Sequence, residues 1–492
     1  MSIYTNFVNG RWTETRENDA RIASFNPYTQ EQWAEIAQAS EKEVAESIDA
    51  AHRALTAWRR TSGTQRARLL NRLADLIDQN GDRLAVLEST DNGKAIRETR
   101  NQMNFAARNY RFFAGFADKL YGSYIPLDNY ASVDYAAWEP IGVCILLTAW
   151  NSPIQLLSNK LAPALAAGNT VVIKPSEYAS VTTLEFMRLV DEAGFPAGVV
   201  NTITGDGRVG NALCASPLIN KISFTGGTQT GRAVMRTAAQ NLVPVTLELG
   251  GKSPNIIFAD ADLERATAGA VAGIFGATGQ TCMAGSRLLV QREIFDKIIS
   301  ALAERANAVV MGDPLDPNTE MGPVCTKGQL DRILEMIETA KSAGARLLAG
   351  GRRPSKPTLN RGLFVEPTVF CDVGPGMEIV REEVFGPVVA VMPFVDEDEA
   401  VAIANSSTYG LVAGVWTQHV SRAHRMAKAL QAGTVWVNTY RTSVCQAPAG
   451  GTKHSGFGRE RGWHGLLEYL QVKNVMIDYS TDARDPFSIK TS

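Results

Sequence analysis

At 492 residues the chain exceeds what one hydrophobic core normally serves, so two or three packed domains are expected. Its 45% hydrophobic and 20% charged residues exclude a disordered chain. With 49 basic and 51 acidic side chains (net charge −2), there is no electrostatic case for nucleic acid or an anionic membrane as partner.

The N-terminal residues Met1-Ser2-Ile3-Tyr4-Thr5-Asn6 lack the charged segment and apolar core of a secretory signal. The most apolar stretches, 141–150 and 266–279, are shorter than the ~20 residues that cross a bilayer. A cytoplasmic protein is expected. Cys144, Cys214, Cys282, Cys325, Cys371 and Cys445 form no CxxC motif, and the histidines form no HxxxH pair, so the expected metal content is none.

In chain order, segments 41–59 and 65–90 carry helical periodicity. From about residue 140, apolar runs at 143–148, 170–174, 199–203, 221–225, 245–249 and 255–258 alternate with amphipathic helices at 180–192 and 231–241. A second series has runs at 287–290, 364–370, 388–393, 412–416 and 434–437, with helices at 292–309 and 328–343. Strand–helix alternation implies parallel sheets with crossover helices, hence an α/β protein. No repeat or long linker separates the two series, which places a site in the cleft between them.

Several residues carry chemistry. Gly205-Asp206-Gly207-Arg208-Val209-Gly210 matches GxGxxG after a strand, yet no acid follows before Leu247, so a tight turn explains it equally well. Phe224-Thr225-Gly226-Gly227-Thr228-Gln229-Thr230-Gly231 is a second strand–glycine–helix junction, where backbone N–H groups can meet a phosphate. A strand ends at Lys174-Pro175-Ser176-Glu177, on the sheet edge where ligands bind. Glu248 closes an apolar strand before Gly250-Gly251, and Cys282 sits among the small residues Ala284, Gly285 and Ser286. Each has a bland alternative, a solvated strand end for Glu248 and a core thiol for Cys282.

In combination, Leu247-Glu248-Leu249-Gly250-Gly251-Lys252, Gly279-Gln280-Thr281-Cys282 and Trp150-Asn151 resemble the NAD(P)-dependent aldehyde dehydrogenase superfamily, and the likeness runs from Phe7-Val8-Asn9-Gly10 to Gly458-Arg459-Glu460. The resemblance implies a Rossmann-like NAD-binding domain (1–119 and 139–250), a second α/β catalytic domain (251–464) and a small β oligomerisation domain (120–138 and 465–492). It implies Cys282 as nucleophile, Glu248 as base for water, Asn151 as oxyanion donor, and Lys160 near Glu248 as a proton-relay partner. A snorkelling helix lysine is the alternative for Lys160. Around the cofactor it places Thr148, Trp150, Lys174, Ser176, Glu177, Gly207, Phe224, Gly226, Gly227, Gly231, Leu249, Gly250, Glu383 and Phe385. Glu177 would accept from the ribose hydroxyls and repel a 2′-phosphate, favouring NAD over NADP. A homodimer or homotetramer is implied.

Two other readings stand beside it: a CoA-acylating aldehyde dehydrogenase, which Glu248 argues against, and a catalytically inactive binding protein on the same fold. For the substrate, Ser152, Asn159 and Ala449 stand where aromatic residues are frequent, and Arg441 and Ser443 lie on the loop before Pro448. A roomy, polar pocket for a small functionalised aldehyde is expected, with Arg441 either a carboxylate anchor or a surface arginine.

Overall fold

Ser40 accepts from Glu43 N while the Glu43 side chain accepts from Ser40 N, and this capping box starts the helix Glu41–Trp58. Ser62 starts the next helix, Gly63–Asn92, by accepting from Gln65 N. Gly93 ends it at φ 79°, a conformation suited to glycine, and a Cβ there would lie 2.8 Å from Pro323 Cγ. That turn delivers Lys94 and the helix Ile96–Ala114 to the site described below. The computed structural model describes residues 2–14, 20–128, 130–481 and 487. Residues 1 and 15–19 of the expected dinucleotide-binding segment, and 129, 482–486 and 488–492 of the expected oligomerisation segments, lie outside the described residues.

The first sheet has eight strands. Its parallel centre runs Val245–Glu248, Lys221–Thr225, Val143–Thr148, Thr170–Pro175, Val200–Thr202. Both faces of the Val143–Thr148 strand are covered, which is why it reads as an unbroken apolar run. Cys144 and Leu146 pack with Leu73, Met103 and Leu161, while Val143, Ile145 and Leu147 pack with Val44, Leu213 and Val234. Phe7–Val8 extends one edge and Gly456–Phe457, from late in the chain, closes the other; both pairings are antiparallel.

The second sheet runs Arg346–Ala349, Thr368–Cys371, Val388–Phe394, Arg287–Gln291, Pro254–Ile257, Val412–Trp416, Thr434–Val437, all parallel except the first pair. The run read at 255–258 therefore belongs to this sheet. The run read at 364–370 forms a strand only as Thr368–Cys371, because Pro367 has no N–H for the ladder. A third, antiparallel sheet joins Leu470–Asp478, Ser132–Pro140 and Ser123–Ile125. Among the described residues no helix is long and apolar enough to cross a membrane.

Arg287 fixes the strand that follows Cys282. It is 1% exposed, and its three guanidinium nitrogens donate to Lys252 O, Ile403 O and Ala404 O, each at 2.8 Å. Arg287→Met removes the donor to the buried carbonyls of Lys252 and Ala404, at about 1–3 kcal/mol each, while Ile403 O keeps Ser406 Oγ. The expected outcome is a clearly lowered Tm by calorimetry; a wild-type Tm would show that Arg287 does not hold the sheets in register.

Candidate active site

The loop carrying Cys282 is strained and pinned. Ala277 (φ 53°) and Thr278 (φ 56°) are consecutive left-handed residues, an arrangement that must be held by its surroundings. Ala277 N donates to Glu98 Oε1 at 2.7 Å, Thr278 Oγ1 to Gly322 O at 3.0 Å, and Cys325 N to Gln280 Oε1 at 2.9 Å. From the first sheet, Asn151 Nδ2 donates to Gln280 O at 3.0 Å. One amide hydrogen of Asn151 remains for a further acceptor. A Cβ on Gly251 would lie 2.5 Å from Cys282 O, so only a bare backbone lets the end of the Val245–Glu248 strand reach the thiol loop. Cys282 is half-buried, and burial, then Glu383 and Glu248, push its thiol up to about 12.

Glu248 and Cys282 line one cavity of about 1370 Å³. Glu248 Oε1 is buried and has no hydrogen-bond partner among the described residues, and Gly450 leaves room for it: a Cβ there would lie 2.8 Å away. Burial, and next the Glu460 carboxylate, push the Glu248 carboxyl well above the usual range, while the Lys160, Arg461 and Arg459 charges pull it down. Lys160 is fully buried, which overturns the snorkelling alternative. Its ammonium donates to Glu460 Oε1 at 2.6 Å and to Ser223 Oγ at 3.0 Å. Asn159 Nδ2 donates to the other Glu460 oxygen at 3.1 Å. Glu460 is thus interposed in the Lys160–Glu248 relation that the resemblance implied.

The residues expected around the cofactor gather at the carboxyl end of the first sheet. Trp150 and Phe385 meet edge to face at 5.3 Å, and Phe385 holds φ 53°. Glu383 Oε1 accepts from Gly251 N at 2.9 Å, and a Cβ on Gly250 would strike Glu383 Oε2 at 2.3 Å. Burial pushes the Glu383 carboxyl up to about 7. Gly227 caps the helix Thr228–Gln240 without a side-chain bond, and a Cβ on Gly227 or Gly207 would meet nothing within 4 Å. Gly231 and Leu249 pack together, as do Gly226 and the Phe224 ring. Lys174 pairs with Glu177 at 3.6 Å, and Ser176 Oγ accepts from Tyr178 N in the local turn. The buried hydroxyls of Thr148 and Thr225 have no partner among the described residues. An uncapped helix start, open glycines, orphaned hydroxyls and an exposed-edge carboxylate fit a dinucleotide.

On the substrate side, Ser152, Asn159, Arg441, Ser443 and Ala449 all line the cavity. Lys94, which the sequence reading passed over, donates to Ser152 Oγ at 2.7 Å, to Gln102 Oε1 at 3.2 Å and to Asn151 O. Its only signal was a lysine after a helix-ending glycine. Arg441 is engaged by Glu98 at 3.6 Å and by Ala272 O at 3.1 Å, so its charge is already balanced. The wall is not free of aromatic residues either: Phe105, Phe275 and Trp436 contribute. Arg461, one residue past the last recognised motif, also faces this cavity.

The Aldehyde dehydrogenase family model matches residues 12–475, and the chain belongs to that family. It is 44% identical to (Z)-2-((N-methylformamido)methylene)-5-hydroxybutyrolactone dehydrogenase of Acinetobacter baylyi over 100% of both chains, and 42% identical to betaine aldehyde dehydrogenase of Bacillus subtilis over 96% of both. A point mutant of betaine aldehyde dehydrogenase from Staphylococcus aureus, solved in complex with NAD+, superposes at TM-score 0.96 with 40% identity, covering 99% of each chain.

Removing one partner of the buried Lys160–Glu460 pair leaves an uncompensated charge, which costs about 3–5 kcal/mol. Lys160→Met is therefore expected to lower Tm more than Lys160→Met combined with Glu460→Gln. Equal losses in the single and double variants would show that the pair is uncoupled.

Proposed function

We propose that this protein oxidises an aldehyde to its carboxylate with NAD+ through a covalent Cys282 intermediate, and that water activated by Glu248 hydrolyses the thioester. The observation that carries this reading is Glu248 Oε1, buried without a partner in the wall of the cavity that Cys282 also lines. Incubation with NAD+ and a panel of aldehydes tests it: NADH and carboxylic acid should form in equal amounts without any added thiol. Acyl transfer to CoA in place of acid would support the CoA-acylating alternative.

The chemistry follows from the groups present. A neutral Cys282 thiol must lose its proton to solvent in the cavity before it attacks the carbonyl carbon, which leaves Glu248 ionised for the later step. The S–C bond forms as the carbonyl π pair moves to oxygen. The spare Asn151 amide hydrogen and the Cys282 N–H hold that oxyanion, and losing one such donor typically costs about 2.7–4 kcal/mol. When bound, NAD+ supplies the hydride acceptor. Glu248 then takes a proton from water, hydroxide adds to the thioester, and the C–S bond breaks to return the thiolate and release the acid. Glu460, fixed by Lys160 and Asn159, is the next carboxylate to which the Glu248 proton can pass.

We place NAD across the carboxyl end of the first sheet, with Glu177 on the adenine ribose and Glu383 on the nicotinamide ribose. The three-stranded sheet exposes Tyr124 and Ile477 on one face and Val472 and Met476 on the other, and this apolar surface supports a homodimer or homotetramer.

Glu248 works as a base only when ionised. Because burial and Glu460 raise its carboxyl, the deacylation rate should fall as pH drops through a value well above the ~4.3 of a free glutamate. An inflection at the ordinary carboxylate value in a rapid-quench pH series would contradict this. Wild type should prefer NAD to NADP in kcat/KM, and Glu177→Gln should narrow the ratio. An unchanged ratio would remove Glu177 from cofactor selection.

A further inference from the structure

Arg461 is a buried cation that makes no direct ion pair among the described residues, although the Glu460 and Glu248 charges act on it from farther off. Its residue is 8% exposed and it lines the cavity that also holds Cys282 and Glu248. Its Nε donates to Asn159 Oδ1 at 3.3 Å, and its guanidinium carbon lies 5.0 Å over the Phe105 ring. Its two terminal nitrogens meet no acceptor among the described residues. The neighbouring Glu460 carboxylate faces Lys160 and Asn159 instead, which donate to its two oxygens.

Of the other cations around the cavity, Lys297 is an exposed side chain, and Lys94, Arg305 and Arg441 are engaged. Arg441 pairs with Glu98, Arg305 with Glu320, and the Lys94 ammonium donates to three neutral oxygens. Buried guanidinium groups are ordinarily paired, because desolvating an unpaired charge is costly. The backbone at Arg461 adds to this. It sits at φ 62° and ψ 170°, a region essentially reserved for glycine, so the fold holds this side chain in place against local preference. The Phe105 face beneath the guanidinium fixes its plane. A planar fork of free N–H groups matches the two oxygens of a carboxylate.

We propose that Arg461 binds a carboxylate carried by the aldehyde substrate at the end remote from the reacting carbonyl, so that the preferred substrate is an oxo acid and the product a dicarboxylate. The proposal rests on the dehydrogenase reading above and specifies its substrate class. It moves the carboxylate anchor from Arg441, whose charge Glu98 balances, to Arg461. It also separates this chain from relatives named for betaine aldehyde, because a trimethylammonium group would meet Arg461 as a like charge. The class of reaction that supplies such a substrate is one that leaves an aldehyde and a carboxylate on the same short carbon chain.

The test compares an oxo acid with its methyl ester, in wild type, Arg461→Met and Arg461→Lys. Taking the ratio of the two kcat/KM values cancels any shared loss from disturbing Asn159 or Glu460. Wild type should favour the acid, and Arg461→Met should reduce that ratio by about tenfold to a hundredfold, the range of a charge-assisted hydrogen-bond pair. Arg461→Lys should restore part of it through KM. Calorimetry with the matching dicarboxylate, which needs no turnover, should show binding to wild type and its loss in Arg461→Met. A ratio unmoved by Arg461→Met, an equal fall for acid and ester, or dicarboxylate binding that survives the substitution would each overturn the assignment. If no aldehyde yields NADH in wild type, the dehydrogenase reading fails, while the calorimetry still decides what Arg461 binds.

Discussion

The site depends on charges buried together behind one carboxylate. Glu248 stands at a strand end with one oxygen unpartnered, and Glu460 stands behind it, held by Lys160 and Asn159. Burial and the Glu460 carboxylate raise the proton affinity of Glu248, and the Lys160 charge pulls it back. A solvated glutamate would be a weak base at neutral pH; a desolvated one beside a second acid is a stronger base. The same burial, with Glu383 nearby, raises the proton affinity of the Cys282 thiol. Nucleophile and base are therefore tuned as a pair.

That pair exists only because two sheets meet through bare backbone. Glu248 ends a strand of the first sheet, whereas Cys282 precedes the strand Arg287–Gln291 of the second. Gly250 and Gly251 make the crossing: side chains there would collide with Glu383 and with Cys282 O. Arg287 then locks the second sheet to Lys252 O, directly after those glycines. The left-handed pair Ala277 and Thr278 turns the thiol loop toward the cleft, with Glu98 and Asn151 holding it from the first domain's side. Parallel sheets with short crossings put catalytic groups from distant positions within one cavity.

Much of this was legible in the chain. The runs at 143–148 and 221–225 are strands because both faces are covered, and such strands read as uninterrupted apolar stretches. Glu248, Cys282 and Asn151 were legible because each sits in a short pattern of small or apolar neighbours. Lys160, Asn159 and Glu460 were harder: the Lys160–Glu460 pair joins residues 300 positions apart, and local sequence cannot distinguish a buried helix lysine from a solvated one. Arg461 was overlooked for a related reason, since it follows the last recognised motif and its burial comes from Phe105 and Asn159, far upstream. Arg441 misled in the opposite direction. Its loop does reach the cavity, but Glu98 neutralises it, and no local pattern reveals such a partner. The run at 364–370 was too long by the residues up to Pro367, whose missing N–H ends the ladder.

The central claim is that Cys282 carries the substrate and Glu248 releases it. The most direct measurement is mass analysis of acid-quenched Glu248→Gln protein after mixing with NAD+ and an aldehyde. A glutamine cannot take the proton from water, so the peptide containing Cys282 should carry the acyl group and keep it, while wild type under the same quench shows mostly free thiol. An unmodified Cys282 peptide in a Glu248→Gln protein that still turns over at the wild-type rate would contradict the account.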